Sequence, residues 1–320
     1  MANTSSINFV LLNQAINRYV PVPLLFLGII GNILNILIFV RHIFRNNICA
    51  IFFLMSTVFD SFVIFVGLLP RLLNGFGVDP TQYSGILCKL RFFITYYAGY
   101  TAAWFISLAC VERYLRSSRN IHKREMMSKK RAYVSILCVL LFGILVFGEQ
   151  FYCIDIHQNL FGAPQSCYQL KQNISCQVVD SLMQCLFEIL APTFMMIIFG
   201  LLTVRNIRRS RHRVHVVHSN APPLSTRTNR LIQKRDVQLV PMLLVQVTVF
   251  AVSAFPISIY KIYCIVTIYN AKSVLQMSIE NTIFNVCVLS LFLNNTITFY
   301  LYTLSGRVFR KELMKLLHLS

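Results

Sequence analysis

Charged side chains are scarce in this chain: Asp, Glu, Lys and Arg together make up 13% of 320 residues, against 56% hydrophobic. So little polar surface cannot cover a soluble globule of this length, and the surplus apolar area calls for lipid. No linker rich in Pro, Gly and Ser separates soluble-looking segments, which argues for one membrane domain. The ten cysteines include no CxxC pair and no Cys/His cluster at zinc-ligand spacing, which argues against a structural metal site. No phosphate loop, HExxH motif or nucleophile elbow is present, so the common enzyme signatures are missing. Met1 to Arg18 lacks the basic start, apolar core and small-residue cleavage site of a signal peptide, which leaves the first span as the insertion signal.

What is abundant is long apolar runs. Crossing about 30 Å of hydrocarbon takes roughly 20 residues at about 1.5 Å rise each. Charge-free runs from Tyr19 to Val40, Phe92 to Val111, Ala132 to Gly148, Val237 to Tyr260 and Asn281 to Gly306 meet that length. Asn46 to Pro70 and Ser181 to Val204 are as long, with one acid each, Asp60 and Glu188. Membrane-barrel strands would be about 10 residues long and alternating, so helices are predicted. The fold class is therefore an all-α membrane protein, a seven-transmembrane-helix bundle. Its predicted organisation is an extracellular N-terminus over 1–18, spans near 19–40, 46–70, 87–115, 132–152, 178–204, 237–264 and 279–304, and a tail over 305–320. In that tail Phe309, Leu313, Leu316 and Leu317 recur at helical spacing beside Arg307, Arg310, Lys311 and Lys315, the pattern of a short interfacial helix.

Seven spans put the termini on opposite sides, and the basic residues choose the side. The connections between spans one and two, three and four, five and six, and the tail hold 23 of the 30 Lys and Arg. That places the N-terminus outside and the C-terminus in the cytosol of a multi-pass plasma-membrane protein. The formal charge of +19 is then a topology signal, and nucleic-acid binding is not needed to explain it. Asn3 and Asn173 head glycosylation triplets on the predicted outer side. Cys88, Cys153, Cys167, Cys176 and Cys264 lie at or beyond outer span ends, where disulfides persist.

Cys88 opens the third span and Glu112-Arg113-Tyr114 closes it, 25 residues and about 37 Å later. This pairing resembles the third span of rhodopsin-like (class A) G-protein-coupled receptors. The spacing of Asp60, Pro192, Pro256 and Tyr302 extends the resemblance over nearly the whole chain. The Phe-Tyr-Leu-Tyr segment of span seven is similar to that of some neuropeptide receptors, the FMRFamide type among them. The resemblance implies a receptor for an extracellular ligand that activates heterotrimeric G proteins when span six swings outward on Pro256. It also implies a disulfide from Cys88 to the loop between spans four and five. Cys153, Cys167 and Cys176 compete for it, and Cys167 is favoured because it sits in mid-loop.

Further roles follow from the resemblance. Arg113, beside Glu112 and Tyr114, is the coupling residue, and Asp236 is its expected inter-helix partner on span six. Phe250 is the aromatic residue below the Pro256 pivot. Asn32, Asp60, Asn294 and Asn295 are the polar core, where the family often holds sodium. Ala102 stands here where that ion usually finds a serine. Other departures are Ala254 for the usual Trp, Thr298-Phe299 for Asn-Pro, and Gly200 for a span-five tyrosine.

Residue by residue, a charged group at membrane depth costs at least about 2.5 kcal/mol, so each invites a functional hypothesis. A ligand pocket is expected where Tyr96, Tyr97, Tyr100, Glu188, Tyr260 and Glu280 converge. An unpaired Glu188 would favour a cationic group, with Asp180 and Glu280 adding negative potential at the mouth. Thr95 occupies the place of the amine receptors' acid, so a short basic or amidated peptide is expected. A structural hydrogen bond to a neighbouring helix is the plainer reading of Glu188. The rival class is a seven-span transporter or channel, which would show internal repeats or more acids along a pathway; neither is seen.

Overall fold

A computed structural model describes residues 2–118, 120–156, 167–169, 174–217 and 227–317, without the side chains of 2–8, 10, 168–169, 210–217 and 227–238. Among the described residues, seven helices are long and apolar enough to cross a membrane. They are Leu11–Phe39, Ile48–Gly75, Gly85–Ser117, Lys129–Cys153, Ile174–Arg209, Leu239–Val266 and Val274–Ser305, spans one to seven below. The tail helix is Arg307–Leu316. Inside lipid every backbone N–H and C=O needs an internal partner, which the helix supplies from within one segment.

The helix starts follow side-chain chemistry. Asn47, Ser84, Ser128 and Ser273 sit at the N-caps of spans two, three, four and seven, each accepting a bond from a backbone N–H that lacks a helical acceptor. Spans two and five each contain a widened π-helical turn, Val63–Leu68 and Gln184–Leu190. Each turn ends two residues before a proline, Pro70 or Pro192. A proline removes one N–H and crowds the carbonyl of the preceding turn, and the wider turn relieves that conflict.

Span one is longer than the sequence indicated. A helix over Ala2–Tyr19 runs into Pro21–Phe39, so residues assigned to an N-terminal segment extend the first span. Asn13 and Asn17 of this extension are buried, and the Asn285 amide of span seven donates to Asn13 Oδ1 at 3.1 Å. Lower down, Gly31 lets span one approach span seven: a methyl group there would sit 3.0 Å from Phe299 Cβ. Near the Arg113 end, Phe39, Phe53, Tyr302 and Phe309 form an aromatic cluster, with ring centroids 5.1–5.9 Å apart. It joins spans one, two and seven to the tail helix. The tail helix is also tied by Arg41 Nη1 to Glu312 Oε2 at 3.1 Å and by Lys315 Nζ to Glu312 Oε1 at 3.0 Å. Burial pushes the Glu312 carboxyl up, but hydrogen bonds and charge from Lys315 and Arg41 outweigh it and hold the group below its usual range.

Two disulfides close the opposite end. Cys88 joins Cys167, with Cα atoms 5.7 Å apart, and Cys153 joins Cys176, at 5.4 Å. The second bridge links the end of span four to the start of span five, so the two remaining candidates for Cys88 pair with each other. Cys167 adjoins a short antiparallel pair in which Ile154 faces Gln169.

Candidate functional site

At the disulfide end the bundle opens into a cavity of about 1050 Å³, counted to its open mouth. Its wall comes from spans two, three, five, six and seven and from Ile154 beside the strand pair. Five charged side chains face it, all more than nine-tenths buried: Arg71, Arg91, Asp180, Glu188 and Lys261.

Most of these charges are matched. Arg91 Nη1 meets Asp79 Oδ2 at 3.0 Å and Thr81 Oγ1 at 3.0 Å, clamping the connection between spans two and three onto span three. Lys261 Nζ of span six meets Asp180 Oδ2 of span five at 2.9 Å, and Gln150 Nε2 donates to Asp180 Oδ1 at 2.7 Å. Arg71 Nη1 donates to Asn285 Oδ1 at 2.7 Å and Asn17 Oδ1 at 3.2 Å. Glu188 differs. Its Oε2 is buried with no hydrogen-bond partner, and its Oε1 rests so close to Gly99 that a Cβ there would come within 2.5 Å of it.

Of the residues expected in the pocket, Tyr96 and Glu188 line the cavity. Four others do not, and the expectation is corrected for them. Tyr97 turns toward span four, donating to Leu140 O at 3.3 Å, and Tyr100 packs with tilted rings against Trp104 and Phe147. Tyr260 lies against the Phe284 ring, centroids 5.5 Å apart. Glu280 is held by Lys272 Nζ at 2.7 Å and the Tyr263 hydroxyl at 2.8 Å. The negative field expected from Asp180 and Glu280 is likewise corrected, because each carboxylate sits on a lysine. Sequence reasoning missed Arg71 and Lys261. The signal for them was a basic residue near the end of a predicted span, on the side poor in basic residues.

Beneath the cavity a smaller one is lined by Ser56, Asp60, Gln246, Asn294 and Asn295 together with the Ala102 methyl. Asn32 is buried in span one but does not line it. Gln246 Nε2 of span six lies 3.4 Å from both Asn294 Oδ1 and Thr298 Oγ1 of span seven. Phe250 borders both cavities, and Pro256, five residues below Lys261 on span six, is exposed on the outer face of the bundle. Pro241 is a second proline within the same helix.

At the opposite end Arg113 is 2% exposed. Its Nε meets Glu112 Oε2 at 3.1 Å, and its Nη2 donates to Asn47 Oδ1 at 2.7 Å. Glu112 also takes Arg116 Nε at 2.6 Å, and the Tyr114 ring lies 5.4 Å from that of Phe199. Asn47 was not foreseen as a partner of Arg113. The side chains of Asp236 and Asn3 and the whole of Asn173 lie outside the described residues, so the expectations placed on them gain no structural account.

A seven-helix membrane bundle with a mostly apolar cavity holding buried charges at one end and a buried, tethered arginine at the other has the architecture of a transmembrane receptor. The sequence model of the family described as 7 transmembrane receptor (rhodopsin family) matches residues 31–300, and the chain belongs to that family. It is thus a multi-pass membrane receptor of the class that takes extracellular ligands and couples to G proteins. No curated protein matches the chain.

Proposed function

We propose that this receptor displays its N-terminus and the large cavity to the outside, binds a small peptide carrying a cationic group, and activates a heterotrimeric G protein through Arg113 as span six moves outward on Pro256. The observation that supports the ligand reading is Glu188: a carboxylate oxygen buried in the cavity wall with no hydrogen-bond partner. A carboxylate in that position binds a cation strongly because water competes poorly there. The asymmetry of basic residues supports the orientation.

A small cation such as sodium would find Asp60, Ser56, Asn294 and Asn295 in the lower cavity, and Gln246 Oε1, buried without a hydrogen-bond partner, adds an oxygen that fits such an ion. Ala102 contributes none.

The test is ligand-dependent nucleotide exchange on purified G proteins, with a library of short peptides as ligands. Exchange driven by basic peptides, and lost in Arg113→Ala with surface expression retained, is the expected result. Exchange that survives Arg113→Ala, or a response confined to acidic peptides, would refute the reading.

A further inference from the structure

Asp180, Gln184 and Glu188 succeed one another at four-residue intervals along span five, and all three line the large cavity. Residues so spaced share one helical face, so the cavity meets a column of acceptor groups. The outermost, Asp180, is occupied by Lys261 and Gln150. The lower two are not filled. Gln184 Oε1 and Glu188 Oε2 are both buried without hydrogen-bond partners, on residues 4% and 8% exposed, while the Gln184 amide interacts with the Glu188 carboxyl. Two adjacent buried acceptors left open carry a desolvation cost that a bound donor group would remove.

We infer that this pair is a subsite for a guanidinium group, and hence that the cationic part of the ligand is an arginine-type side chain rather than a simple amine. The inference rests on the proposed cationic anchoring at Glu188 and specifies its chemistry. One acceptor is a carboxylate oxygen and the other a neutral amide oxygen, one turn apart. A planar guanidinium with five donors in a fixed fork spans both at once, whereas an ammonium gathers three donors on one nitrogen and reaches two acceptors a turn apart less well. Tyr96 lies across the cavity on span three, one turn above Gly99, and brings an aromatic ring to the same space. Gly99, opposite, has no side chain to fill the space that the carboxylate occupies.

The protein carries its own reporter. Trp104 is the only tryptophan in the chain, and its indole Nε1 donates to Phe187 O at 2.8 Å, the carbonyl just before Glu188. Full-length receptor in nanodiscs should be titrated with three capped probes, N-acetyl-arginine amide, N-acetyl-lysine amide and N-acetyl-citrulline amide, following Trp104 emission and thermal midpoint. The arginine probe should bind at least about tenfold tighter than the lysine probe, the difference expected of one charge-assisted hydrogen bond. The citrulline probe, flat but neutral, should bind weakest. Gln184→Leu should collapse the arginine-to-lysine ratio toward one, and Glu188→Gln should abolish binding of both cations. If Glu188→Gln impairs folding, Gly99→Ala serves instead, because the added methyl displaces the carboxylate and should weaken the arginine probe.

Equal arginine and lysine affinities that both depend on Glu188 would overturn the guanidinium subsite yet leave the cationic anchor standing. Cation binding indifferent to both Glu188→Gln and Gly99→Ala would overturn the anchor as well. Neither result depends on G-protein coupling, which the exchange assay tests separately.

Discussion

Asn47 makes the sharpest test of how Arg113 is held. Its Oδ1 accepts from the backbone N–H of Cys49 at 3.0 Å and of Ala50 at 3.4 Å, and it also receives Arg113 Nη2 at 2.7 Å. One oxygen therefore caps span two and restrains Arg113, to which we assign the coupling role. A hydrogen bond to a charged group contributes about 1.5–3 kcal/mol, and the lower figure applies because Arg113 retains Glu112 when the bond is lost. About 1.5 kcal/mol is a factor of roughly ten in the balance between resting and active states. Serine separates the two tasks, since its hydroxyl caps a helix as well as asparagine does but is too short to reach the arginine. Asn47→Ser should then raise basal nucleotide exchange by up to about tenfold at unchanged stability. Asn47→Ala should raise it equally and also cost about 1 kcal/mol of stability. Asn47→Asp should lower basal exchange, because a carboxylate holds the guanidinium more firmly. Basal exchange in Asn47→Ser equal to wild type, at matched surface expression, would refute the restraint; so would a rise in Asn47→Asp.

Two further outcomes follow from the ends of the bundle. The Cys153–Cys176 bridge closes a loop of 23 residues between spans four and five, for which loop-closure entropy gives about 3 kcal/mol. Cys153→Ser, Cys176→Ser and the double variant should therefore lower the thermal midpoint equally, and additive losses would show that the two do not act as a pair. At the tail, the Glu312 carboxyl is held below its ordinary range, so its contribution to docking the tail helix is full above the ordinary carboxylate range and lost as pH falls through the depressed one. Amide protection factors of Arg307–Leu316, taken relative to the intrinsic exchange rate at each pH, should fall on acidification and should already be low at neutral pH in Glu312→Gln; a well-protected Glu312→Gln helix would refute the role of the Arg41 and Lys315 pairs.

The spans were legible in the sequence because lipid imposes a length and a polarity on each of them, and both can be counted along the chain. The cavity was less legible, because it depends on which way each helix is turned. The tyrosines of span three illustrate the point. Tyr96, Tyr97 and Tyr100 were grouped by proximity in sequence, yet the face toward the cavity is the stripe of Arg91, Thr95 and Gly99 with Phe92 and Tyr96 beside it. Successive residues turn by about 100°, which carries Tyr97 and Tyr100 toward span four. The small and polar members of that stripe were the available signal, and the aromatic residues drew attention away from it. The acids failed for a related reason. Asp180 and Glu280 were weighed as isolated charges, but Lys261 and Lys272 lie 81 and 8 residues away in sequence and meet them in space. Spans of apolar residues announce themselves singly, whereas a charge acquires its meaning from a partner on another helix.

Span six brings these threads together, because it is fastened at two heights on either side of Pro256. Above Pro256, Lys261 holds it to Asp180 of span five; below, Gln246 holds it to Asn294 and Thr298 of span seven. At about 1.5 Å per residue, Gln246 lies about 15 Å from the proline and Lys261 only about 7.5 Å. A rotation of about 10° about Pro256 would thus displace Gln246 by about 2.6 Å and Lys261 by half as much. Bonds already 3.4 Å long do not survive such a shift. The outward swing proposed for the Arg113 end would therefore release Gln246, while the shorter lever shifts the ion pair half as far. Gln246→Leu should raise basal exchange by a few-fold, a modest effect because both bonds are long and neutral and weaker than the ~1 kcal/mol of an ordinary one. Lys261→Met strands Asp180 as a buried unpaired charge and should reduce folded receptor at the cell surface, with Asp180→Asn restoring it in the double variant. Basal exchange per folded receptor should stay at the wild-type level in that double variant. A basal rise there, with none in Gln246→Leu, would move the resting constraint on span six to the cavity end and refute a pivot at Pro256.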